Sequence, residues 1–161
     1  MNPDERERSV CFTGHRPEKL VRGEDIIRQD LETEICRAAA GGFSVFISGM
    51  ARGVDIWAAQ TVLELRKKGV GVKLICACPY NGLEKSWSRY WQTQYRDILR
   101  DADEIHYICA GHSRGCFRLR NEWMVNRAAR VIAVYREAAG GTKNTVAYAH
   151  RCGVPVICIP G

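Results

Sequence analysis

Six short apolar runs divide the chain, at residues 9–13, 44–48, 72–78, 104–109, 131–135 and 154–159. Short runs that are apolar at nearly every position read as strands covered on both faces, as in a parallel sheet. Between them, apolar residues return every three or four positions, which predicts amphipathic helices. Ile27, Leu31, Ile35 and Ala38 mark the stripe of residues 24–40, which Gly41 and Gly42 end. Val54, Trp57, Ala58, Thr61 and Leu65 mark residues 54–68, with Arg66, Lys67 and Lys68 in the last turn before Gly69. Cations there suit the helix dipole, and glycine terminates the helix. Further helices are expected over 83–100, with Trp87, Trp91, Tyr95 and Ile98 as a core stripe, and over 117–129 and 142–151.

Alternation of strand and helix along the whole chain predicts an α/β fold: a mostly parallel sheet of about six strands with helices on both faces. Right-handed crossovers bring the loops that follow the strands to one edge of the sheet. Ligands of such sheets bind in a crevice at that edge. Gly14, Gly49, Gly53, Gly82, Gly111, Gly140 and Gly141 all fall in these loops. A chain of 161 residues reads as a single domain, 1–161, here with a charged, flexible stretch over 1–8.

Charge and composition narrow the partners. The net charge of +6 favours an anionic partner, a phosphorylated small molecule before nucleic acid, because the Lys and Arg residues are dispersed. No apolar run approaches a membrane span and no apolar segment follows the charged N-terminus, so a cytoplasmic protein is expected. A homo-oligomer is left open. The eight cysteines include no Cys-x-x-Cys pair and no zinc spacing with histidine, so no metal site is expected. They are read as small buried hydrophobes in a reducing compartment.

The most informative stretch runs from Ser44 to Ala59: a buried strand, the loop Ser48-Gly49-Met50-Ala51-Arg52-Gly53, and the start of a helix. A strand that delivers such a loop onto a helix N-terminus presents free N–H groups to an anion. Neither the Walker A pattern nor the dinucleotide fingerprint is present. On spacing alone, a phosphate cradle and a plain tight turn stay equally open.

Four segments in order carry a family resemblance: Thr13-Gly14-His15-Arg16-Pro17, Ser48 to Trp57, Arg120 to Val125, and Gly140-Gly141-Thr142-Lys143-Asn144-Thr145. Together they resemble the YpsA-like group of the SLOG superfamily, which includes the DNA-processing protein DprA and the LOG phosphoribohydrolases. The resemblance covers nearly the whole chain. It implies a Rossmann-like fold whose strand-end crevice holds a nucleotide or a nucleotide-derived molecule such as an ADP-ribose-like ligand, with no certain cofactor. The Ser-Gly-Met-Ala-Arg-Gly-Val-Asp segment and the ending 154–161 are also similar to DprA, whose Rossmann-like domain binds single-stranded DNA. LOG enzymes carry Pro-Gly-Gly-x-Gly-Thr-x-x-Glu, and here Ala139 stands for the proline, the inner glycine is missing and Thr145 replaces the glutamate. Threonine supplies no carboxylate for glycosidic cleavage, so the reading leans away from an enzyme.

The candidate site residues follow. Ser48, Gly49, Arg52 and Gly53 are assigned to phosphate, and Asp55 to ribose hydroxyls or to first-turn N–H groups. Gly140, Gly141 and Thr142 form a second helix-start anion site, and Thr13, Gly14, His15 and Arg16 close the crevice from the first strand. Arg120 and Asn121 suit phosphate or a base edge, and Tyr80 suits a base face. Glu18, Glu84 and Glu122 are the remaining loop-edge carboxylates, and spacing selects none of them as a catalytic base. A nucleotide sensor leads this reading, followed by a nucleoside-processing hydrolase or transferase and by a DprA-like DNA binder.

Overall fold

The computed structural model describes residues 1–136 and 140–161, so Ala139, compared above with the LOG proline, lies outside the described residues. Six strands form one sheet in the order β4-β3-β2-β1-β5-β6, in which every pairing is parallel. They are β1 (Ser9–Gly14), β2 (Val45–Ser48), β3 (Lys73–Cys78), β4 (Glu104–Tyr107), β5 (Arg130–Tyr135) and β6 (Val156–Pro160). The chain builds outward from β1 to β4, then returns to the other side of β1 for β5 and β6. That reversal leaves the loops after β1 and β5 diverging at the switch point, where α/β sheets open a crevice.

Helices α2 (Glu24–Ala40), α3 (Val54–Lys67) and α4 (Arg89–Asp101) cover one face of the sheet. Helices α5 (Cys116–Asn126) and α6 (Gly141–Arg151) cover the other. Alternate residues of β1 show the partition: Val10 and Phe12 join the core with Ile27, Leu31 and Trp57, and Cys11 joins the core with Met124, Val125 and Ala149. The fold is the parallel α/β architecture expected from the periodicity, in the Rossmann-like form that the resemblance implies.

Local chemistry moves several boundaries. The helix expected over 83–100 is broken into a 3-10 turn, Leu83–Ser86, and α4. Trp87 and Ser88 are extended there, and the Gln92 side-chain amide spans the break by donating to the carbonyls of Lys85 and Trp87. The aromatic stripe still packs on the core, with Tyr95 and Ile98 buried and Trp87 and Trp91 partly so. Helix α5 ends at Asn126 rather than 129 because the Ala129 N–H pairs with the Ser9 carbonyl. Strand β6 starts late because Gly153 adopts φ 70° and the Val154 N–H folds back onto the Ala149 carbonyl. The edge strand β4 stops at Tyr107 and is only half-buried.

The charged N-terminus carries a short helix, α1 (Pro3–Glu7), capped by the Asn2 side chain on the Glu5 N–H at 2.7 Å. Arg6 donates to the Asn126 carbonyl at 3.0 Å and Lys73 bonds Glu5 at 3.2 Å. All eight cysteines are free thiols. Cys11, Cys76, Cys78 and Cys116 are buried, whereas Cys36, Cys152 and Cys158 are exposed, so the reading of the cysteines as core residues fails for those three. Among the described residues, no helix is long and apolar enough to cross a membrane.

One glycine fixes how α3 meets the sheet. A Cβ on Gly14 would lie 2.5 Å from the Cβ of Val54, the first residue of α3. Gly14→Ala is therefore expected to cost about 1–3 kcal/mol in urea melts, as overpacking does. Combined with Val54→Gly it should cost less than the sum of the single changes. Strict additivity would mean that the two residues do not meet.

Candidate functional site

A cavity of about 280 Å³ opens at the carboxyl end of β1. The end of β1 and the turn after it supply Thr13, Gly14, His15, Arg16 and Lys19. Ala51 and Asp55 come from the β2 loop and α3, Phe117, Arg120 and Asn121 from α5, and Gly141 and Thr142 from α6. Nine of the fifteen residues singled out from sequence thus line one space: Thr13, Gly14, His15, Arg16, Asp55, Arg120, Asn121, Gly141 and Thr142.

The floor holds two buried, oppositely charged groups that attract each other without a direct hydrogen bond. Arg120 and Asp55 are each 5% exposed, and burial pushes the Asp55 carboxyl up to about 6 even though Arg120 pulls it down. Burial likewise lowers the Arg120 pKa. Asp55 Oδ2 accepts from the Ala51 N–H at 3.2 Å, whereas Oδ1 is buried with no hydrogen-bond partner among the described residues. Arg120 donates through Nη1 to the Gly49 carbonyl and through Nε to Asn121 Oδ1 at 2.7 Å. Leaving a carboxylate oxygen unsatisfied is costly, and here that oxygen belongs to a residue lining a cavity.

This floor explains Gly49. A Cβ there would lie 2.8 Å from both Arg120 Nη1 and Asp55 Oδ2. The β2 loop also satisfies its own amides: Ser48 Oγ accepts from the Met50 N–H at 3.2 Å and donates to the Asp55 carbonyl at 2.9 Å. Gly53 has φ 89°, and a Cβ on it would meet Pro17 at 2.8 Å. Arg52 reaches across to Glu18 Oε1 at 2.5 Å. Ser48, Gly49, Arg52 and Gly53 therefore build the wall behind the cavity without lining it.

Tyr80 packs edge-on against Phe117 and His112, with centroids 6.4 and 5.6 Å away. Gly140, at φ 146°, precedes α6 and lies beside the Lys19 ammonium, which is 3.7 Å from where a Cβ on Gly140 would be. His15 is buried, with Nε2 donating to the Arg136 carbonyl at 3.2 Å, which occupies that nitrogen. Of the other carboxylates, Glu18 pairs with Arg52, Glu84 with Arg96 and Glu122 with Arg118. Thr145 Oγ1 donates to the Gly141 carbonyl at 2.8 Å, within its own helix. Burial pushes the Cys11, Cys76 and Cys78 thiols up, so none is a ready thiolate.

Sequence reasoning passed over Lys19, Ala51 and Phe117. Lys19 lies four residues after His15 in the same connection, and Phe117 one turn before Arg120 on α5, so helical spacing was the available signal for the latter. Two guanidinium groups approach the Phe117 ring, those of Arg16 and Arg120, each 5.8 Å from its centroid. Three cations, Arg16, Lys19 and Arg120, thus face one carboxylate, Asp55, in the cavity.

Comparison with known proteins gives this arrangement relatives. A UPF0398 protein of Brevibacillus brevis is 32% identical over 120 residues, covering 73% of this chain and 63% of the relative. The prophage-derived protein YoqJ of Bacillus subtilis is 34% identical over 118 residues, covering 66% of this chain and 69% of the relative. The chain thus spans just under two thirds of the Brevibacillus relative's length. Among solved structures, DprA of Streptococcus pneumoniae superposes with a TM-score of 0.70 at 20% identity, covering 98% of this chain and 52% of that one. DprA of Helicobacter pylori, solved for its single-stranded DNA binding mode, superposes with a TM-score of 0.67 at 20% identity, covering 95% of this chain and 65% of that one. The model of the YspA SLOG family (YpsA) matches residues 10–152, and the chain belongs to that family.

Proposed function

We propose that this protein binds a phosphorylated, nucleotide-derived small molecule at the switch-point cavity and acts as a cytoplasmic sensor or regulator. One observation carries the reading: a cavity with three cations also holds a buried carboxylate whose Oδ1 has no partner among the described residues. Arg16 and Lys19 supply charge for phosphate, and the Thr13 and Thr142 hydroxyls supply neutral donors beside the start of α6. The Asp55 carboxylate is the acceptor on hand for a ribose hydroxyl. Phosphate itself belongs away from Asp55, since like charges repel.

The cavity volume lies just below the range usual for small-molecule sites, about 300–1,000 Å³. Many other basic side chains are paired with carboxylates, among them Arg22, Arg28, Arg37, Arg66, Arg96, Arg100 and Arg118. Such pairing favours a small anion over the continuous basic track that a nucleic-acid strand requires. Thr145, bonded within α6, stands where the LOG enzymes carry their glutamate, which favours binding over glycosidic cleavage.

Ribose 5-phosphate or ADP-ribose at millimolar concentration should raise the melting temperature, since a ligand at 100 times its Kd adds about 2.7 kcal/mol. The double change Arg16→Glu, Lys19→Glu should weaken binding at least about tenfold, through loss of charge-assisted contacts. A flat response to both compounds, or a variant that binds as well as wild type, rejects the proposal. Tight binding of single-stranded DNA with a steep salt dependence would move the assignment to nucleic acid.

The Asp55 carboxyl makes a separate prediction. Its folded pKa of about 6 lies above its ordinary value of 3.8. Between those values the folded protein holds a proton that the unfolded chain has released, so stability falls as pH rises through the window. Asp55→Asn removes this linkage while leaving Arg120 without its counter-charge. In denaturant melts, the stability advantage of wild type over the variant should therefore shrink between pH 4 and 7, by up to about 3 kcal/mol. A difference that is independent of pH would show that the carboxyl does not titrate in this way.

A further inference from the structure

The two edges of the sheet are finished differently. At the β6 edge, Pro160 has no N–H to offer, and its carbonyl accepts from Arg22 Nη1 at 2.9 Å. Proline and an occupied carbonyl blunt an edge against further pairing. Strand β4 contains no proline, and its side chains are open to solvent. Ile105 is 40% and Tyr107 44% exposed, and the side chains of Glu104 and His106 are 39% and 42% exposed.

The register fixes what this edge presents. The Lys73 N–H donates to the Ser44 carbonyl, so odd-numbered residues of β3 turn their backbone groups to β2 and even-numbered ones to β4. The Ile108 N–H accordingly takes the Cys78 carbonyl at 3.0 Å. Counting back by twos, Glu104 and His106 face β3, and Ile105 and Tyr107 turn their N–H and C=O groups outward. Side chains alternate as well. Ile105 and Tyr107 lie in register with Cys76 and Cys78 on the α4 face, and Glu104 and His106 with Ile75 and Ala77 on the α5 face. Glu104 Oε2 meets His106 Nε2 at 2.9 Å, and Lys73 holds the Glu104 carboxyl below its ordinary range. The His106 ring packs against Trp123, with centroids 5.0 Å apart. Charges that protect an edge repel their own copies. A carboxylate and an imidazole two residues apart do the reverse, because an antiparallel copy sets each opposite the other.

We infer that β4 is a self-pairing edge, through which two copies of this chain join antiparallel with Ile105 on the two-fold axis. There the two Ile105 residues exchange N–H···O=C bonds. Glu104 of each copy stands opposite His106 of the other, in the kind of pair whose side chains approach most closely. An imidazole has two ring nitrogens, so it serves a carboxylate on each side. The pairing joins two six-stranded sheets into one, with the two crevices opening on opposite edges. The inference is independent of what the crevice binds.

Sedimentation at about 100 μM should show a dimer, as expected of an interface with a roughly micromolar Kd. Ile105→Pro removes an outward N–H and leaves the β3 ladder intact, and His106→Glu sets carboxylates opposite each other. Each should weaken dimerisation at least about tenfold with unchanged circular dichroism. In a protein with Cys36, Cys109, Cys152 and Cys158 changed to serine, Ile105→Cys should give a disulfide-linked dimer on mild oxidation, since residues directly opposite lie about 5.5 Å apart. His106→Cys should not, because its counterpart lies roughly 8 Å away. A monomer at that concentration, a dimer indifferent to both Ile105→Pro and His106→Glu, or a link through position 106 in place of 105 overturns the proposal.

Discussion

The attraction between the buried charges of Arg120 and Asp55 beneath the switch-point crevice governs much of what surrounds it. Arg120 belongs to α5 on one face of the sheet and Asp55 to α3 on the other, so this attraction acts between the two helical layers over the strand ends. Each charge in isolation would be expensive to bury, and mutual attraction offsets that cost only when the polar atoms also find hydrogen-bond partners. Arg120 finds them in the Gly49 carbonyl and Asn121. Asp55 finds one in the Ala51 amide and has an orphaned Oδ1. The same geometry requires glycine at 49, since any side chain there would collide with both charged groups.

The architecture was legible because its determinants are local and repetitive. Apolar strands and the stripe Ile27-Leu31-Ile35-Ala38 announce themselves through spacing, and the crossover rule then gathers the loops at one edge. The helix break at Trp87-Ser88 was not legible, because it depends on one side-chain amide, that of Gln92, reaching back to two carbonyls. Strand order was equally hidden, since nothing in the local pattern says that β5 returns beside β1.

For the site, most of the lining was legible in the sequence, whereas the direction in which each group turns was not. The Ser48–Asp55 segment reads as a phosphate cradle because glycine spacing says nothing about where side chains turn. In the fold, Ser48 and Asp55 take up the Met50 and Ala51 amides, and Arg52 turns to Glu18. The cavity instead gains Lys19 and Phe117, whose relevance comes from long-range packing that no motif encodes. Thr145 lies where it was expected relative to Thr142, and its hydroxyl is spent on its own helix.

Lys19 introduces a tension of its own. Its ammonium lies beside Gly140, at the end of α6 where the peptide dipoles already concentrate positive charge. Two like fields lie side by side there, one from a side chain and one from the backbone, so the positive potential at this end of the crevice is built by the fold as much as by the sequence.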